Sequence, residues 1–236
     1  MKIAFMGDTH GNFPYTRKAL KHVANVGVST VIHVGDFGVW SPFGFIRSVG
    51  DEAERLGITV YFVDGNHEDH VWLSAQPVRD DGFRELHPHV LHIPRGHSWE
   101  WEGKRFLGLG GAHSVDRQWR REGVDWFPEE TITYSQGFRA GMVENVDYMI
   151  THDCPIGVEI PGIAGNPHGF PVEEIHLADN HRRMLGSVVD LVQPKVLVHG
   201  HYHVSYHAKR GETFVRGLDM DGTPFTSNMW TINTED

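Results

Sequence analysis

The sequence predicts an α/β fold with neighbouring parallel strands on three observations: short apolar runs, helical spacings between them, and a turn-forming Gly, Asp or Asn closing each run. Lys2 to Met6 is the first apolar run and ends at Gly7-Asp8, after which Tyr15, Ala19, Val23 and Val26 recur at helical spacing between Pro14 and Gly27. A second run, Thr30 to Val34, ends at Gly35-Asp36. A third, Thr59 to Val63, follows a helical pattern around Phe45–Leu56 and ends at Asp64-Gly65-Asn66-His67. Strand and helix alternating in this way form a βαβαβ opening, whose crossovers join parallel strands.

The middle of the chain changes character. VLHI, WEWEG and KRFLGLGG predict shorter strands, antiparallel in part, and Ser135 to Glu144 predicts a helix. Val146 to Ile150 reads as a buried strand ending at Thr151-His152-Asp153, and the glycine- and proline-rich GVEIPGIAGNPHGF that follows reads as a long loop. A helix from about Pro171 to Val192 leads to the apolar KVLVH, which runs straight into GHYH, Gly200 to His203. TFVRGL and NMWTI predict the final strands. No internal repeat, low-complexity tract or compositional break marks a linker, so residues 1–236 are expected to form a single domain.

Composition narrows the class of protein. A chain of 236 residues with 39% hydrophobic and 22% charged side chains is that of an ordinary soluble globular protein. No segment approaches the ~20 apolar residues that a membrane helix needs. The apolar start, MKIAFMGD, is too short for a signal-peptide core, so a cytoplasmic location is expected. The single cysteine, Cys154, excludes an internal disulfide and a cysteine-built zinc site, and reads as a small buried residue. A formal net charge of −10 argues against a broad basic surface that tracks nucleic acid.

The informative pattern lies at the strand ends. Five of them deliver metal-competent side chains: Asp8 and His10 in GDTHGN, Asp36 in GDFG, Asn66 and His67 in GNHE, His152 in THD, and His201 with His203 in GHYH. In α/β sheets ligands gather at the carboxyl ends of strands, so residues far apart in sequence can meet there. Taken singly, each has an ordinary explanation: a helix N-cap, a turn residue, a satisfied core histidine. The same placement five times over has no such explanation. In an extended segment His201 and His203 share a face with Cα atoms about 6–7 Å apart. That separation suits one imidazole for each of two metals about 3.5–4 Å apart.

This ordered series, D-x-H, GD, GNHE, a lone H and GH-x-H, resembles the calcineurin-like metallophosphoesterase superfamily from Asp8 to His203. The resemblance implies a four-layer α/β/β/α sandwich of two mixed β-sheets flanked by helices. It also implies one metal bound by Asp8, His10, Asp36 and His203 and a second bound by Asp36, Asn66, His152 and His201, with Asp36 as the bridge. By the same resemblance His67 is catalytic, protonating the leaving oxygen or stabilising its charge. Two divalent transition-metal ions fit that chemistry, because paired cations supply a nucleophile at neutral pH and hold phosphate oxygens during in-line attack. Oxygen and imidazole donors suit manganese, the favoured ion, and also iron, zinc or nickel.

Departures from related subfamilies point to a substrate. The second block reads GDFGVW and lacks the arginine of the GD-x-V-D-R-G protein phosphatases, and Phe37, Gly38, Val39 and Trp40 stand where purple acid phosphatases place a metal-binding tyrosine. What remains resembles the compact phosphodiesterases, with a small phosphate ester as partner, nucleotide-like or a cyclic nucleotide. A nuclease, a phosphomonoesterase and a non-catalytic scaffold of the same fold are the alternatives. Gly110 to Glu122 brings His113, Arg117, Arg120 and Arg121 together, and His113 and Arg117 are the expected substrate contacts. Trp119, Trp126 and Phe127 are candidates for stacking on a base, and the loop carrying His168 for a rim or lid.

Overall fold

The computed structural model describes residues 1–235. The opening is β1 (Lys2–Met6), α1 (Phe13–Asn25), β2 (Thr30–His33), α2 (Gly44–Leu56) and β3 (Thr59–Phe62), as its periodicities predict. Asn12 caps α1 by accepting from the Tyr15 amide at 3.2 Å, with a proline in the first turn, where its missing N–H costs nothing. After α3 (His70–Ala75) come β4 (Arg84–His87), β5 (Val90–His92), β6 (His97–Trp101) and β7 (Lys104–Leu109). Two short 3-10 turns, Arg117–Trp119 and Pro128–Glu130, lead to α4 (Tyr134–Gly141), β8 (Tyr148–Thr151), α5 (Val172–Val192) and β9 (Val196–His199). The chain closes with β10 (Tyr206–Arg210), β11 (Thr213–Gly217), α6 (Phe225–Asn228) and β12 (Met229–Asn233).

These strands form two six-stranded sheets, ordered β12-β1-β2-β3-β5-β4 and β10-β11-β9-β8-β7-β6. Both follow one plan. β1, β2, β3 and β5 run parallel between antiparallel edges β12 and β4. β11, β9, β8 and β7 run parallel between antiparallel edges β10 and β6. The fold is therefore the α/β/β/α sandwich, and the alternation along β1 shows how it is built. Ile3 and Phe5 point into the layer between the sheets, beside Ile32, Val34, Phe106, Ile150 and Val198. Ala4 and Met6 point the other way, against Leu20 and Val23 of α1 and Val49 and Ala53 of α2. The second sheet turns Leu107, Met149 and Leu197 outward onto Ala140 of α4 and Leu185, Val188 and Val189 of α5.

Three details depart from the sequence reading. The helix expected over Ser135 to Glu144 is Tyr134–Gly141, started by a capping box between Thr133 and Gln136 and followed by a turn through Asn145, whose φ is 58°. β4, RELH, and β10, YHAKR, carried no apolar run to announce them; both are sheet edges, where charged side chains block further strand pairing. α3 and α6, of 6 and 4 residues, are too short for a helical period to register.

Candidate metal centre

Every metal-competent residue singled out above lies in a turn just beyond a strand. Asp8 and His10 follow β1, Asp36 follows β2, and Asn66 with His67 follows β3; His152 follows β8, and His201 with His203 follows β9. β1 to β3 are neighbours in one sheet and β8 and β9 in the other, so one end of the sandwich collects them all. The turns are sharp. Among the described residues nine non-glycines have positive φ, and four of them are His10 (45°), Asp36 (51°), His201 (68°) and His203 (51°). Such conformations cost energy and persist where surrounding contacts enforce them, commonly at functional sites. The glycines beside them are needed for close approach: a Cβ on Gly200 would strike Oδ1 of Asp8, and one on Gly65 would strike Oδ1 of Asp36.

The side chains form two groups, Asp8 with His10 and His203, and Asp36 with His152 and His201, the donor atoms of each lying within 4.8 Å of one another. Asp36 faces both. Its Oδ2 is 3.7 Å from His10 Nε2 and its Oδ1 is 3.4 Å from His152 Nε2. His203 Nε2 lies 3.2 Å from Asp8 Oδ2. Asn66 presents its amide oxygen 3.0 Å from His152 Nε2, because its NH₂ donates to Ser114 Oγ at 3.0 Å. Hydrogen bonds at the opposite ring nitrogens turn Nε2 inward: His152 Nδ1 lies 2.8 Å from the Val34 carbonyl and His10 Nδ1 lies 2.9 Å from Asp221 Oδ1. This is how metal-ligating histidines are ordinarily held. Asp221 also accepts from Asn12 Nδ2 at 2.6 Å and donates its N–H to the Asp8 carbonyl at 2.8 Å. Sequence reasoning missed Asp221, whose only local signal is an Asp-Gly turn.

Electrostatics show what belongs between the groups. Burial alone would raise the Asp36 carboxyl, but the neighbouring His152 and His67 charges overcome it and hold the pKa well below the ordinary value. Asp8, equally buried, is held down by its His203 hydrogen bond and by His152. Burial would lower His152, yet Asp36 raises it to about 10; His10, under the same opposition, rises to about 9. Burial and the His152 charge push His201 down to about 3. Two buried carboxylates thus draw positive charge into a space lined by oxygen and imidazole donors. A divalent cation fits that donor set, and its binding must displace the protons on His10 and His152.

His67 belongs to neither group. Its backbone N–H donates to Asp36 Oδ1 at 3.0 Å, and its ring Nε2 lies 3.8 Å from Asp36 Oδ2. The Arg120 guanidinium sits 2.6 Å from its Nδ1 and 3.1 Å from its Nε2, and is itself gripped by both Asp116 oxygens at 2.8 and 2.7 Å. Burial lowers the His67 pKa and Arg120 lowers it further, against the pull of Asp36. His113 and Arg117 both turn onto Glu174, at 2.7 and 2.9 Å, with Arg117 also 5.8 Å over the Trp126 ring. The Gly110 to Glu122 segment does reach the centre, through Ser114 at Asn66 and Arg120 at His67. His168 lines a cavity shared with His201 and His203. Cys154 is fully buried, its thiol pushed up to about 12 by burial, which makes it a packing residue.

Comparison with known proteins places the chain in a family. Residues 1–216 match the family model for the calcineurin-like phosphoesterase superfamily domain. No curated protein sequence matches the chain. A Danio rerio dimetal phosphatase superposes with a TM-score of 0.61 at 16% identity, covering 98% of this chain and 91% of that one. A Thermus thermophilus protein gives 0.60 at 12% identity, covering 98% of each chain. A structure described as a novel archaeal phosphodiesterase gives 0.50 at 18% identity, covering 100% and 94%. At these identities the structures establish a shared fold, and with the family match they settle one point: this chain belongs to the calcineurin-like phosphoesterase superfamily.

Proposed function

We propose that this chain is a cytoplasmic, single-domain phosphodiesterase that hydrolyses nucleotide-like diesters, cyclic nucleotides included, with two divalent metal ions. The observation that carries the reading is Asp36, whose two carboxylate oxygens face different donor groups. Asp8, His10, Asp36 and His203 would hold one ion, and Asp36, Asn66, His152 and His201 the other. When bound, the pair supplies an activated water, charge neutralisation and a clamp for phosphate oxygens. Manganese is the favoured ion, with iron, zinc or nickel also suited to these donors.

The chain's own residues do the rest. Asp221 and the Val34 carbonyl keep His10 and His152 oriented with Nε2 inward. His67, anchored to Asp36 through its amide and placed beside the donor groups, protonates the leaving oxygen or stabilises the charge on it, and general acid catalysis of that kind is worth about 10²–10⁴-fold. Arg120, fixed by Asp116, lies within reach of a phosphate oxygen at the His67 side and orients that ring. His113 and Arg117, joined through Glu174, shape the adjoining wall. The likeness in fold to an archaeal phosphodiesterase and a dimetal phosphatase supports phosphoester hydrolysis. The GDFGVW block, without a protein-phosphatase arginine, supports a diester.

Two measurements test this. Metal analysis of manganese-loaded protein is expected to find about two ions per chain, and one ion per chain sinks the shared-carboxylate arrangement. Turnover of bis(p-nitrophenyl) phosphate is expected to exceed that of p-nitrophenyl phosphate, and a strong preference for the monoester removes the diesterase reading while leaving the metal centre in place.

A further inference from the structure

Beside the metal centre, the glycine- and proline-rich 155–171 loop roofs a cavity of about 370 Å³ over one face of α5, within the size range of small-ligand sites. We propose that this cavity is the subsite for the organic group of the substrate ester, that the group it takes is an uncharged planar ring, aryl or nucleobase, and that it sets which diesters are accepted. The inference rests on the phosphoesterase reading and adds to it a substrate class and the residues that select it.

Position is the first argument. His201 and His203, one from each donor group, line the cavity where it adjoins the candidate centre. A phosphate held between those groups would therefore have its ester substituent at the cavity mouth. Its walls are the second. Ile163, Pro167, Phe170, Ile175, Ala178 and Tyr202 present carbon surface, and His168 and Phe170 place two rings 5.9 Å apart at the rim. An extended sugar-phosphate chain or a polyol would leave that surface wet, whereas a flat ring covers it.

Most polar groups of the lining are already engaged. Arg182, the arginine of the lining, donates to the carbonyls of Cys154 at 3.1 Å and Val158 at 3.3 Å and lies 5.8 Å over the Tyr202 ring. It is a brace for the loop, which leaves no loose arginine or lysine among the described lining residues to recruit a second phosphate. Tyr202 donates its hydroxyl to Asp153 at 2.7 Å, so its ring is fixed as a wall. Asn166 closes the loop on itself, donating to the Phe170 carbonyl at 2.8 Å and accepting from the Phe170 amide at 3.0 Å. The Phe170 backbone is thereby held in place before any ligand arrives, which lowers the ordering cost of binding. Asp179, a third exposed and 3.6 Å from Arg182, remains as an acceptor for an amino or ring N–H at the edge of a base.

The test uses non-hydrolysable probes, so that binding is read independently of catalysis. Phenylphosphonate and methylphosphonate are titrated calorimetrically into the manganese-loaded full chain, and turnover of bis(p-nitrophenyl) phosphate is measured on the same preparations. Wild type is expected to bind the phenyl compound about tenfold or more tighter. Phe170→Ala is expected to bring the ratio close to one and Phe170→Leu to leave it between, with circular dichroism confirming that both variants are folded. A ratio near one in wild type, or an unchanged ratio in folded Phe170→Ala, overturns the subsite. An intact ratio without diester turnover supports the subsite and sinks the diesterase reading; failure to bind either phosphonate sinks both.

Discussion

Each sheet holds four parallel strands between two antiparallel edges, yet they bring different chemistry to their shared end. The first contributes Asp8, Asp36 and the Asn66 amide with a single imidazole from the donor groups, His10, whereas the second contributes only imidazoles, from His152, His201 and His203. All the anionic charge of the candidate centre therefore belongs to the first sheet. The second supplies donors that are neutral when they bind metal. The centre exists only where the two meet, and their spacing is set by the layer in which Phe5, Ile32 and Val34 pack against Phe106, Ile150 and Val198. One sheet makes the candidate site attractive to cations, and the other adds imidazole donors.

The largest effect should come from breaking the charge side. Asp36→Asn keeps the size of the side chain but removes the anion shared by both groups; activity is expected to fall by about 10³-fold or more, with metal content dropping towards zero. His152→Gln removes one donor from the other sheet and should retain about one ion per chain. Equal metal loss in the two variants would abolish the contrast drawn here. Next is Asp221→Asn, which weakens the hold on His10 and is expected to lower manganese affinity by about 10–100-fold in a direct titration.

Arg120→Ala should leave the metal content intact and reduce kcat by about 100-fold, with partial recovery in Arg120→Lys. A rise in KM with unchanged kcat would instead make Arg120 a binding residue with no influence on His67. The smallest effect concerns His70, a member of neither donor group, buried beside Asp64 at 3.7 Å. Burial holds its pKa at about 4, below the ordinary histidine value. Between pH 6.5 and 4 the unfolded chain binds the extra proton, so this contribution to stability is present above pH 6.5 and is lost as pH falls through that window. Denaturant unfolding of metal-free protein should find stability lower by on the order of 1–2 kcal/mol at pH 5 than at pH 7 from this group. His70→Phe should flatten that dependence.

How much of this was legible beforehand differs by element. β1, β2, β3, β8 and β9 are buried apolar runs, and the donors sit where those runs stop, so both could be read from local pattern alone. Edge strands β4 and β10 escaped because an edge tolerates the charges that erase a strand's apolar signature. Among the arginines of the Gly110 to Glu122 segment, Arg117 was the expected substrate contact, yet tertiary packing gave Arg117 to Glu174 and brought Arg120 to His67.

By itself the sequence determined which strands are buried, where the chain turns and which donor types those turns present, because periodicity and turn chemistry act over a few residues. Only the tertiary structure decided which distant groups meet. His10 reaches Asp221 across 211 positions and His67 reaches Arg120 across 53. Such contacts are set by the packing of two sheets and the path of long connections, and no local pattern encodes them.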